Sequence, residues 1–136
     1  MKNKILKLNA STLEFEEIEV KEQQVYYEEI MSAVGEYYEA VPSIYVNKIL
    51  NNLSIVAYCD ESGMLKNLKQ SILVMDKKSK RPLIILCGDI VFTKLKNEND
   101  YTLNDFEINT IKRVFQEVKE VIVCESEKFK VRVERI

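Results

Sequence analysis

Residues 83–95 read LIILCGDIVFTKL. Two apolar, β-branched runs flank a Gly88-Asp89 pair, so the stretch reads as strand, tight turn, strand, with no helix between. Leu83–Cys87 is continuously apolar, the pattern of a strand buried on both faces. Ile90, Phe92 and Lys94 alternate against Val91, Thr93 and Leu95 in the second run. Ser54–Cys59 repeats the first pattern, and Ile72–Met75 is a shorter candidate of the same kind. Consecutive strands without a helical crossover point away from a repeated βαβ architecture.

Outward from this stretch, KNENDY at 96–101 reads as a polar surface loop and precedes the clearest helix. Thr102 and Asn104 are alternative N-caps, each with a carboxylate three residues on, and Leu103, Ile108, Ile111, Val114, Phe115 and Val118 form its stripe over about 103–119. A second helix is expected over about 22–34, where Val25, Ile30, Ala33 and Val34 recur at helical spacing before Gly35. Tyr37–Val41 reads as a strand stopped by Pro42. Residues 43–52 are a connection with one edge strand at most, because Lys48 interrupts the parity of Ile44, Val46 and Leu50. Lys4–Leu8 suits a strand. In Leu13–Val20 the apolar parity switches at Glu16-Glu17, which predicts a bulge or a break between two strands. The tail adds strands at Val121–Cys124 and Phe129–Val133. The fold class is therefore α+β, a mostly antiparallel sheet with two amphipathic helices, in a single domain over 1–136.

Composition narrows the chemistry. The chain has no histidine, which removes the default general base, the usual partner of a Ser or Cys nucleophile and the commonest metal imidazole. Cys59, Cys87 and Cys124 are dispersed, form no CxxC pair and read as buried small hydrophobes in a reducing cytoplasm. No metal site, cofactor or catalytic residue is expected. MKNKILKLNAS lacks an apolar h-region, and nowhere is there an apolar run long enough to cross a membrane.

Charge is uneven. Residues 1–40 carry four lysines and nine glutamates, whereas residues 41–96 carry nine basic and four acidic groups. KKSKRP at 77–82 has two readings: a solvated hairpin loop that keeps a sheet edge soluble, or part of an anion site. If it shares an end of the sheet with the DESGMLK turn at 60–66, Lys66, Lys69, Lys80 and Arg81 surround a phosphate, with Arg81 making the bidentate contact and Tyr37 a stacking face. A partner-protein surface is the third use of that charge. A pI near 5.4 and the acidic first third argue against binding a nucleic-acid duplex. In the DESGMLK turn, Gly63 is expected to supply a positive φ, with Asp60 or Ser62 bonding the turn backbone.

The order GEYYEAVP (35–42), LSIVAYCDESGMLKNL (53–68), LIILCGDIVFTK (83–94) and LNDFEI (103–108) resembles the phage and mobile-element domain of unknown function 3846 family, over about residues 24–115. That family has a GGYIE-like opening, an EEGKLKGL-like turn, an IVGT-like strand junction and a SLTDE-like helix start. The present chain departs from it at Glu36, Met64 and Asp89. The resemblance brings no catalytic residues and implies a small accessory protein that acts against host defences. The expected function is a non-enzymatic binding protein that sequesters a nucleotide-like signal molecule and forms a homo-oligomer. The alternative is a protein-interaction module that engages a host protein through the acidic, tyrosine-bearing stretch Glu14–Glu39.

Overall fold

A computed structural model describes residues 2–63, 65–124 and 127–136, without the side chains of Val123 and Cys124. Met64 and the Cys124 thiol, both singled out above, lie outside the described residues. Two sheets face each other across the main core. The first contains β1 (Lys4–Leu8), β2 (Phe15–Glu19), β3 (Gln24–Val25), β4 (Tyr38–Ala40), β5 (Ile55–Asp60), β8 (Ile90–Lys96) and β9 (Asn99–Tyr101), with the order β2-β1-β8-β5-β4 and with β9 joining β8 to β3. The second, β10-β11-β6-β7, is built from β6 (Gln70–Met75), β7 (Pro82–Cys87), β10 (Val118–Cys124) and β11 (Glu127–Arg135). The helices are α1 (Tyr27–Val34), α2 (Lys48–Asn52) and α3 (Asp105–Val114). Among the described residues every strand pairing is antiparallel except β11 with β6, so the α+β, mostly antiparallel class holds, divided over two sheets instead of one.

The decisive stretch is where the chain changes sheets. Gly88-Asp89 does not close a hairpin, because β7 pairs with β6 in the second sheet while β8 pairs with β1, β5 and β9 in the first. Gly88 sits at φ +83°, and an added Cβ would come within 2.9 Å of Leu68 Cδ1.

Alternation on the first sheet serves two cores. Leu6, Leu8, Ile55, Ala57, Cys59, Ile90 and Phe92 face the second sheet, where Ile72 and Val74 meet them. Ile5, Tyr58 and Val91 face the other way, against Ile30 of α1. The parity switch in residues 13–20 has the same origin. Phe15 packs toward Phe92 and Phe115, with ring centroids 6.4 Å from each, while Ile18 joins the α1 side. Consequently β2 is one unbroken strand in register with β1 from Leu8↔Phe15 to Lys4↔Glu19, and the expected bulge is absent.

Other boundaries also differ from the expected ones. The first helix begins at Tyr27 because the backbone of Gln24 and Val25 pairs with Tyr101 and Asp100. The KNENDY segment is largely a hairpin, in which Asn97 and Glu98 take φ +50° and +67° and let β9 fold back on β8. Residues 43–52 hold a 3₁₀ turn (Ser43–Tyr45) and α2 instead of a strand. Asn47 caps α2 by accepting from Ile49 N at 2.8 Å, and Val46 and Leu50, four apart, face the core while Ile44 is exposed. The last helix starts as expected, with reciprocal Asn104–Glu107 bonds of 2.8 and 2.9 Å. It stops short of Lys119, since Arg132 donates to Phe115 O at 3.1 Å and β10 begins pairing with β11 at Val118↔Arg132.

Candidate functional site

Three of the four family-like motifs meet at one place, the end of β5, while LNDFEI lies apart at the start of α3. Gly35 (φ +148°) lies against Asp60, such that a Cβ there would come within 2.9 Å of Asp60 Oδ2. Gly63 does not adopt the expected positive φ. Its requirement is space, because an added Cβ would lie 3.1 Å from Cys87 O and 3.3 Å from Asp60 O. Asp60 does bond the turn as expected: Oδ1 accepts from Ser62 N and Oδ2 from Lys66 Nζ, both at 2.8 Å. The Lys66 hydrogen bond holds the Asp60 carboxyl below the usual range. The thiols here are quiet, since burial pushes Cys59 up to about 11 and raises Cys87 as well. The turn at 60–66 is thus a satisfied structural junction, with both carboxylate oxygens of Asp60 already engaged.

The five expected ligand residues do not converge. Lys66 and Tyr37 lie at this junction, where Glu61 N donates to Tyr37 O at 2.9 Å and the Tyr37 ring is exposed. Lys69 is spent on Ala10 O at 2.6 Å. Lys80 and Arg81 sit in the β6–β7 turn, at the opposite end of β6, because the register runs from Gln70↔Cys87 to Met75↔Pro82. A six-residue strand is roughly 17–20 Å long, so one phosphate cannot touch both ends.

A different basic groove, of about 800 Å³, opens beside the N-terminus of α3. β1 and β8 pair only over Leu6–Leu8 and Phe92–Ile90; beyond that, Leu103 wedges between them and donates to Lys4 O at 2.8 Å. Lys4 shares the parity of Leu6 and Leu8, and Lys94 and Lys96 that of Ile90 and Phe92, so these lysines extend the core-facing side of the sheet past the end of the core. With Lys2 they line the groove, together with Tyr101 and the 62% exposed Phe106.

Most of these cations already have partners. Lys2 pairs with Glu19 and Lys4 with Glu17, each at 3.0 Å, and the Lys4 hydrogen bond lowers the Glu17 pKa. The carboxylate partners in both pairs face solvent, so these pairs are screened and open to exchange with another anion. Lys94 is held more firmly, 2.7 Å from the buried Glu107. Lys96 has no carboxylate partner among the described residues and lies 6.0 Å from the Tyr101 centroid. The sequence signal was the i, i+2 spacing of Lys2/Lys4 and Lys94/Lys96, too short in each strand to stand out beside KKSKRP.

A polar cluster on the α1 side also escaped sequence reading. Asp100 Oδ1 accepts from Tyr58 OH and Thr93 Oγ1, both at 2.7 Å, and burial together with this carboxylate raises the Tyr58 pKa. The three come from separate strands and have no local spacing to betray them. Among the described residues, no cluster of three Cys, Asp or Glu side chains forms a cation site, and no helix is long and apolar enough to cross a membrane.

No curated protein and no solved structure matches the chain. Residues 1–116 match a family described as a domain of unknown function, DUF3846, a stretch that begins earlier than the motifs indicated and ends just before β10. The match spans most of the chain, which therefore belongs to the DUF3846 family.

Proposed function

We propose that the protein is a non-enzymatic binding protein for a phosphate-bearing, nucleotide-like ligand, held in the groove between β1, β8 and the start of α3. One observation carries this reading: Lys2, Lys4, Lys94 and Lys96 line one concavity with Tyr101 and Phe106. Ammonium groups suit phosphate oxygens, and an exposed ring suits a base. Nearby carboxylates neutralise much of this charge, so a ligand gains by displacing the exposed Glu17 and Glu19 partners and by meeting the uncommitted Lys96. Binding without turnover fits a chain with no histidine and with its Cys59 and Cys87 thiols protonated at neutral pH. In the phage or mobile-element setting that the family resemblance implies, such a protein would sequester a nucleotide defence signal.

Native mass spectrometry of the full chain with a panel of mono- and dinucleotides tests the reading. Binding should fall at least about tenfold in Lys4→Glu/Lys96→Glu, the loss expected when two charge-assisted contacts become repulsive. It should persist in Lys80→Glu/Arg81→Glu. The absence of any bound nucleotide, equal loss in both variants, or conversion of the nucleotide overturns it. A second reading, engagement of a host protein, is favoured by the exposure of Tyr26, Tyr27 and Tyr37 among the glutamates of residues 14–39. A stoichiometric protein partner, lost on reversing Glu16, Glu17 and Glu19, would select it.

A further inference from the structure

The lysines of the groove beside α3 form two centres held apart by the backbone. β1 and β8 part after the Leu6↔Phe92 pair, and the chain at Tyr101–Leu103 runs between them, joined to β8 through Lys94↔Tyr101 and to β1 through Lys4↔Leu103. Two inter-strand steps separate the lysine-bearing backbones, roughly 10 Å. Ion pairs widen the gap. Lys2 and Lys4 reach toward Glu19 and Glu17 of β2, which lies on the side of β1 away from β8, whereas Lys96 stays 6.0 Å from the centre of the Tyr101 ring. Carboxylates compensate the two centres unequally. The Glu17 hydrogen bond, with Asp105 and Glu19 behind it, raises the Lys4 pKa, and Glu107 holds Lys94, so among the described residues Lys96 alone has no carboxylate partner.

We propose that the groove selects a nucleotide whose two phosphates are set apart on the sugar over one whose phosphates are joined in a single chain, an inference that rests on the nucleotide-binding reading above. One phosphate meets Lys96 beside Lys94, and the other takes the place of Glu17 and Glu19 at Lys2 and Lys4. A contiguous diphosphate concentrates its charge at one centre and leaves the other on its glutamates. Two separated phosphates engage both centres and leave the ring between them to Tyr101. At about 800 Å³ the groove has room for both groups at once. The centres contribute unequally, because Lys96 is uncommitted while the phosphate at Lys2 and Lys4 must displace carboxylates 61% and 40% exposed.

Isothermal titration calorimetry of the full chain at one fixed salt concentration tests the proposal with two pairs of isomers. Adenosine 3′,5′-bisphosphate is set against ADP and guanosine 3′,5′-bisphosphate against GDP, with AMP and GMP as single-phosphate references. At least one bisphosphate should bind about tenfold tighter than its isomer. Lys2→Gln/Lys4→Gln should remove that advantage and cost the bisphosphate more than AMP or GMP, whereas Lys96→Gln should weaken every nucleotide. Glu17→Gln/Glu19→Gln removes the competing carboxylates and should tighten the bisphosphate most. The isomer comparison needs the wild type alone, so a variant that does not fold leaves the proposal decidable. Equal affinity within both isomer pairs, or an advantage that survives Lys2→Gln/Lys4→Gln, overturns this inference and leaves the nucleotide-binding reading standing. Failure of every nucleotide to bind overturns both.

Discussion

At the scale of single residues, the informative side chains are those whose surroundings contradict their type. Glu134 is 3% exposed, its Oε1 has no hydrogen-bond partner among the described residues, and burial pushes its pKa up to about 8, an effect that the neighbouring Asn47 backbone amide reduces in part. The native carboxyl thus holds its proton longer than the unfolded one, whose pKa is near 4.5. The contribution of Glu134 to stability is fully present below pH 4.5, is lost as pH rises through the interval to about 8, and is constant above it, with a limiting slope of about 1.4 kcal/mol per pH unit. Urea unfolding followed against pH should show this decline, and Glu134→Gln should abolish it and be the more stable form at pH 8. An unchanged slope in the variant would place the effect elsewhere. None of this was legible beforehand: in FKVRVER, Glu134 reads as one more outward polar residue of an alternating strand. Gly63 is a comparable case, legible as a residue that must be glycine but not as to why, because its constraint comes from a carbonyl 24 positions away.

Among elements, the long periodic ones were readable and their ends were not. Each misjudged end is set by a distant partner. α1 loses its first residues to β3–β9 pairing, and α3 ends where Arg132 reaches it. Arg132 also donates to Leu13 O at 2.9 and 2.7 Å and lies 5.3 Å from the centre of the Phe15 ring, so one guanidinium ties β11 to the β1–β2 turn and to the end of α3. Arg132→Met keeps the apolar stem but strands both carbonyls; it should cost about 2 kcal/mol or more in chemical unfolding. Amide exchange should quicken first at residues 9–15 and 114–118. A cost near zero would make the guanidinium a passenger. The same dependence on neighbours explains β7, expected to be buried on both faces but left at the edge of its sheet with Leu83 44% exposed: an apolar run reads alike in a central and an edge strand until the strand order is known.

For the whole molecule, the boundary of the family match has a structural consequence. Residues 1–116 contain the first sheet entire but only the β6–β7 hairpin of the second. β11 occupies an interior position there, in parallel register with β6 from Arg132↔Ile72 to Arg135↔Met75, and its Val131 and Val133 cluster with Leu73 and Met75. Truncation after Gln116 should therefore yield a chain that is insoluble or lacks cooperative unfolding in calorimetry, since a lone two-stranded hairpin is marginal by itself. A soluble, cooperatively folding fragment would show that the first sheet and its helices suffice.

The sequence by itself determined the α+β class, the existence of nearly every strand, both principal helices and the exclusion of histidine chemistry, because these follow from periodicity and residue type within a dozen positions. Only the tertiary structure decided that there are two sheets, that the basic turn and the DESGMLK turn lie at opposite ends of β6, that alternate lysines of β1 and β8 share a groove, and which strand is left at an edge. Those outcomes depend on which backbone groups find each other across most of the chain, and pairing over such separations leaves no periodic mark in the residues themselves.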